Sequence, residues 1–282
     1  DRHGPGRLVH YDYDVEWTVG AHGFRERDPV PKRAGERRAL LLGDSFAAGV
    51  GVELGSRFGD VWFRETGRAG RGETLWTLAS SWCGTAQSAA ILRGVGRAYE
   101  VDEIVLAFYG GNDLEDNEGW RRKVAGTAAP PSGSFRIWLR ERSRLATFVW
   151  VYGLRSFASF RPPAIHSKET LDELWPDTDR ALGELLEAAA GRPLRVWYLP
   201  NVSEWDDALW EEVLARHSIA DPVRTGARDR LEDWCRAHGV PFADATPFLA
   251  GSRAQDLVFP VDPHWNAEGH RRVGEGLARE SP

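Results

Sequence analysis

Three short clusters combine residue types that can do chemistry with the turns needed to present them. Gly43-Asp44-Ser45-Phe46 places a serine directly after a Gly-Asp turn, and Gly110-Gly111-Asn112-Asp113 sets a carboxamide behind two glycines. Asp262-Pro263-His264-Trp265-Asn266 holds a carboxylate and an imidazole two residues apart on one short loop. A serine exposed at the mouth of a sheet stands where a nucleophile has to stand. Bland alternatives exist for each cluster: Asp44 and Ser45 as helix caps, Gly-Gly-Asn-Asp as a turn chosen for positive φ, His264 as a packed histidine. Taken singly the clusters decide nothing. Their order along the chain, each placed at the end of an apolar run, argues for a single site.

Hydropathy indicates the elements that must position them. Arg38-Ala39-Leu40-Leu41-Leu42-Gly43 is a continuous apolar run ended by glycine, as in a parallel strand buried on both faces. Similar runs occupy residues 74–79, 103–109, 194–199 and, more weakly, 241–245. Between them, helical spacing appears at Phe58, Val61, Trp62 and Glu65, then over residues 86–99, 171–190, 221–238 and 266–279. Strands alternating with helices predict an α/β fold whose parallel sheet is covered on both faces. Ligands of such sheets bind beyond the carboxyl ends of the strands, where these clusters fall.

Residues 1–37 read as an N-terminal arm packed on the body through Tyr11, Tyr13, Trp17 and Phe24, and residues 38–282 as the body itself. An insertion at about 114–168 breaks the α/β rhythm. It contains Ala128-Ala129-Pro130-Pro131-Ser132-Gly133-Ser134, read as a flexible loop, and an apolar helix-like stretch over 135–160. That stretch is expected to pack on the core or form a lid over the cleft rather than lie on a membrane.

Composition narrows the function classes. The 282 residues are 42% hydrophobic and 28% charged, as in an ordinary globular protein, with a net charge of −6. That charge gives no reason to expect a nucleic-acid partner or an anionic membrane. Cys83 and Cys235 are the two cysteines and form no metal-ligand spacing, so no metal or other cofactor is expected. Both are expected to be reduced and buried. The apolar runs are far shorter than the roughly 20 residues of a membrane span. The chain contains no methionine, so a tag, signal or anchor removed from its upstream side is expected, and the compartment is left open.

The blocks Gly43-Asp44-Ser45, Gly110-Gly111-Asn112-Asp113 and Asp262-Pro263-His264 resemble, in order and spacing, those of the SGNH hydrolases, also called GDSL-like esterases and lipases. The resemblance spans about residues 38–279. It is nearest to bacterial members with an arm like Val19-Gly20-Ala21-His22-Gly23-Phe24-Arg25. Asp-x-His-Trp-Asn is shared with those members and with the alginate-type O-acetyltransferases. The resemblance implies a three-layer α/β/α sandwich with a mainly parallel, flavodoxin-like sheet. It also implies an enzyme without cofactor that acts on an acyl ester of a small molecule or glycan. Ser45 would be the nucleophile, His264 its base and Asp262 the residue that orients the base. The oxyanion would meet the Ser45 N–H, the Asn112 carboxamide and one backbone N–H after the second strand.

That second strand is where the chain departs from the family. Ser80-Ser81-Trp82-Cys83-Gly84-Thr85 puts Trp82 where the donor glycine often stands, while a small shift of register makes Gly84 the donor. Gly84 is the expected donor. Asp44, Trp82 and Trp265 are expected near substrate, and exposed indoles among the 13 tryptophans would suit stacking on sugar rings. An esterase acting on a short acyl group, acetyl above all, leads. An O-acyltransferase with the same triad and a non-catalytic α/β binding module are the alternatives.

Overall fold

The computed structural model describes residues 5–126 and 166–280. The expected loop at 128–134 and the apolar stretch at 135–160 lie outside the described residues. Strands β1 (Arg7–Val9) and β2 (Asp14–Glu16) form a small antiparallel ribbon in the arm. The main sheet comprises β3 (Arg37–Gly43), β4 (Glu73–Ala79), β5 (Glu103–Tyr109), β6 (Leu194–Leu199) and β7 (Phe242–Asp244). Its order is β4-β3-β5-β6-β7, with every neighbouring pair parallel.

The apolar run of β3 is continuous because both faces are covered. Leu40 and Leu42 pack into one core with Leu106 and Val196, whereas Leu41 faces the other with Val105 and Trp197. All three leucines are fully buried, each contributing roughly 1.5–3 kcal/mol. The first core is closed by α3 (Thr85–Arg93), α5 (Lys168–Ala189) and α6 (Gly226–His238). The second is closed by α2 (Phe58–Glu65) and α7 (Ala267–Glu280). This is the expected α/β/α sandwich. The helix expected over 86–99 is broken instead: Gly94 leaves helical geometry at φ −92°, ψ −107°, and a short 3₁₀ turn follows.

The arm is tied down by a buried cation. The Arg25 guanidinium donates to the carbonyls of Gly49, Val52 and Glu16 at 2.7 Å each and lies 4.3 Å over the Trp17 ring. Arg25 thus bridges the β1–β2 ribbon to the backbone just past Ser45. At the opposite end of the sheet Arg68 bonds Glu73 and Glu103 at 2.7 Å each, which satisfies an otherwise costly buried charge. Cys83 and Cys235 are buried free thiols. Among the described residues no helix is long and apolar enough to cross a membrane.

Candidate active site

Two strand ends lie side by side because Gly43 of β3 pairs with Ala79 of β4. Beyond β3 the backbone turns into α1 (Ser45–Ala48), where the Asp44 carboxylate accepts the Phe46 N–H at 2.9 Å. A side chain at position 43 would come within 2.9 Å of the Ala107 carbonyl oxygen, so glycine is needed there. The glycines of the next cluster are also explained by close approach. A Cβ at Gly110 would lie 2.0 Å from the Tyr198 hydroxyl oxygen, and one at Gly111 would lie 2.3 Å from the Tyr109 ring. Neither glycine has positive φ, which corrects the alternative that this is a left-handed turn.

The last loop returns to meet Ser45. Asn266 caps α7, its side-chain oxygen accepting the N–H groups of Glu268 and Gly269 at 3.0 and 3.1 Å. Trp265 is 1% exposed and packs edge-on against Phe46, with ring centroids 4.8 Å apart. Between these anchors, His264 places Nε2 2.7 Å from Ser45 Oγ, while Nδ1 is hydrogen-bonded to Asp262 Oδ1. That same Oδ1 accepts the His264 backbone N–H at 2.9 Å.

These contacts fix the proton positions. Burial pushes the Asp262 carboxyl up, but the hydrogen bonds and charge of His264 and the Tyr13 hydroxyl outweigh it and hold it down to about 2. An ionised carboxylate has no proton to give, so the proton of the Asp262–His264 bond sits on Nδ1. A neutral His264 then turns the lone pair of Nε2 toward the Ser45 hydroxyl. The arrangement is able to take a proton from that serine.

The residues expected at the oxyanion and substrate positions divide. Asn112 precedes α4 (Asp113–Val124), and its Nδ2 donates to Asp116 Oδ2 at 2.8 Å. One amide proton is held by that carboxylate, leaving the second to point elsewhere. Gly84 opens α3 and presses on α4: a Cβ there would come 2.9 Å from Asn117 Oδ1. Its lack of a side chain therefore has a packing cause. Trp82 is 78% exposed and has φ 65°, a left-handed conformation that costs a bulky residue about 1–3 kcal/mol. Asp44 and Trp265, expected against substrate, are both buried and serve the turn and the core.

Three carboxyls crowd behind the serine. Burial, and then mutual repulsion, raises Asp113 well above the carboxylate range, and burial together with Glu115 takes Asp116 up to about 6. Burial pushes Asp44 up to about 7 against the Phe46 amide and the charge of His264. Such a cluster does not carry its full negative charge at neutral pH. Among the described residues no group of His, Cys, Asp and Glu could hold a metal ion. Two further residues reach Asp262: Asp12, not singled out in the sequence, and Tyr13, expected there only as an aromatic packing the arm, because no spacing links the arm to a loop some 250 positions away.

A profile of GDSL-like lipases and acylhydrolases matches residues 41–272. The chain belongs to that family. Its members are hydrolytic enzymes, as the sequence resemblance implied. Among solved structures, the chain is similar to the lipase Lip_vut3 from a goat rumen metagenome, with 15% identity over 86% of this chain and 96% of that one, and a TM-score of 0.45. It is similar also to a lipase/acylhydrolase from Enterococcus faecalis, at 14% identity, 86% and 94% coverage and a TM-score of 0.47. The acetyl xylan esterase AlAXEase gives 11% identity, 87% and 100% coverage and a TM-score of 0.49. No curated protein matches the sequence. The family match begins at residue 41, so the arm carrying Asp12 and Tyr13 lies outside what the GDSL-like profile describes.

Proposed function

We propose that this protein is a serine ester hydrolase that removes a short O-linked acyl group, acetyl first among them, from a carbohydrate. The observation that carries the reading is the unbroken hydrogen-bond chain from Ser45 Oγ through His264 to Asp262, within a GDSL-like chain. As Ser45 Oγ attacks the ester carbonyl carbon, its proton passes to His264 Nε2, and Asp262 stabilises the imidazolium. The carbonyl π pair moves onto oxygen, and the tetrahedral intermediate collapses with loss of the alkoxide, which takes the proton back from His264. Water then repeats the sequence on acyl-Ser45, releasing the acid and restoring the serine.

The oxyanion is met by the Ser45 N–H, one of the amides that a helix start leaves unpaired, by the second amide proton of Asn112 and by an N–H of the β4–α3 turn. Gly84 was the expected donor in that turn. The left-handed backbone of Trp82 supports Trp82 instead, because a family that keeps glycine there is serving such a conformation. Asn112→Ala is expected to lower kcat by about 10²–10³ with little change in KM, since the amide acts on charge that develops only in the transition state. Steady-state kinetics on an aryl acetate check this, and an unchanged kcat would leave Asn112 a structural residue.

The exposed indole of Trp82 supports a sugar as the leaving group, offering a flat apolar face on the turn after β4, the strand paired with the one that leads to Ser45. Hydrolysis and transfer share the acyl-enzyme, so donor consumption alone does not separate them. The deciding measurement supplies an acetyl aryl ester with and without an oligosaccharide and quantifies free acetate against acetylated sugar. Acetate is expected to dominate, and acetylated oligosaccharides should themselves be deacetylated. Faster donor turnover with most acetyl on the sugar would make the protein an O-acyltransferase.

A further inference from the structure

We infer that the N-terminal arm is a working part of the catalytic apparatus, with Tyr13 and Asp12 acting as positioning residues for the Asp262–His264 pair. The inference rests on the proposed role of that pair. Tyr13 Oη donates to Asp262 Oδ2 at 2.9 Å, on the side of the carboxylate away from His264. Asp12 Oδ2 accepts the backbone N–H groups of Val261 and Asp262, at 2.9 and 2.7 Å. One arm residue therefore holds the loop backbone and the next holds the carboxylate that the loop carries.

The geometry leaves Asp262 little freedom. Its Oδ1 takes two donors from His264 and its Oδ2 takes Tyr13, so the plane of the carboxylate is fixed from both sides. Tyr13 is itself held between the Phe259 ring, 5.0 Å away, and the His10 ring, stacked at 5.0 Å. Burial and the Asp262 charge both raise the Tyr13 phenol, so it remains a donor. A phenol there keeps the carboxylate from rotating without adding charge. The ribbon geometry delivers both residues, because Asp12 and Tyr13 sit at the turn between β1 and β2. None of this is available to a chain that begins where the family match begins.

Tyr13→Phe keeps the ring and removes one hydroxyl. It is expected to lower kcat on an aryl acetate about tenfold with KM within about twofold, the size expected for one hydrogen bond to a charged group. The proton shared by His264 Nδ1 and Asp262 should shift in the far-downfield NMR spectrum, and the melting temperature should hold. For Asp12, a merely structural role and a positioning role part company on rescue. Asp12→Asn keeps an oxygen acceptor for the two amides and should retain most activity, whereas Asp12→Ala should lose about tenfold in kcat. An unmoved downfield proton together with full kcat in Tyr13→Phe overturns the inference, as does equal loss in both Asp12 variants. If the wild-type protein proves unable to hydrolyse esters but the proton still moves in Tyr13→Phe, the hydrolase reading falls and the positioning role stands.

Discussion

Replacing Ser45 with alanine is expected to lower turnover of short aryl esters by about 10⁴-fold or more, because the proposed nucleophile is gone while the proposed base and oxyanion donors remain. Stability should change little. Ser45 makes its hydrogen bond to the His264 side chain on a surface loop, and Asp44, which caps the turn through the Phe46 N–H, is untouched. The same variant should lose covalent labelling by a fluorophosphonate, which reads out an activated serine by mass spectrometry without any assumed substrate. Labelling that persists on another serine would transfer the role.

The structure names the competitor that such a result would have to invoke. Ser203 Oγ lies 2.6 Å from His166 Nε2, closer than Ser45 lies to His264. Proton accounting separates the two pairs. Ser203 gives its single hydroxyl proton to Asn201 Oδ1 at 2.7 Å, so His166 Nε2 must be the donor in its bond to Ser203. A nitrogen that donates to the hydroxyl cannot take a proton from it. Both residues are buried, and burial, with the charge of Arg224, drives His166 down to about 4. This pair fastens the segment after β6, and labelling is expected on Ser45 alone.

The parts of the fold that were legible in the sequence were those set by burial on both faces. Leu40, Leu41 and Leu42 form an unbroken apolar run because alternate side chains enter different cores, and such a run reads as a parallel strand without further context. The three clusters were legible because close approach demands glycine and because their order along the chain, each after an apolar run, singles them out among 42 acidic residues and 8 histidines. The contribution of the arm was not legible. Its strands are three residues each, too short for any periodicity, and the contacts that matter join Asp12 and Tyr13 to residues 249 and 250 positions away. Tryptophan misled in a similar way. Type and proximity to the motif suggested Trp265 as a substrate contact, whereas its indole fills the core beneath the site, and only the turn that forces Trp82 outward decides between the two fates.

His264→Ala is expected to be about as damaging as Ser45→Ala, and the double variant no worse than either single one. If Nε2 takes the serine proton, a serine without its base gains little over water, and a base without its serine has nothing to activate. Independent contributions would instead multiply, giving a double variant far below both singles. Because alanine leaves a gap beside Phe46, whose ring centroid lies 4.9 Å from that of His264, the comparison needs a thermal melt, and His264→Gln supplies a bulkier control. Asp262→Asn should fall less far, by about 10²–10⁴. The reason lies in its neighbours. A carboxamide can keep its oxygen toward the two His264 donors and turn its nitrogen toward the Tyr13 hydroxyl, which is able to rotate and accept. The tautomer then survives, and what disappears is the negative charge that stabilises the imidazolium. Combining Asp262→Asn with Tyr13→Phe removes that acceptor, so only the two His264 donors still oppose a flip of the amide, which would present its nitrogen to Nδ1 and move the ring proton onto Nε2. The pair should therefore lose more than the product of the two single losses, measured as kcat on an aryl acetate. Strict multiplicativity would mean that the phenol has no part in setting the tautomer.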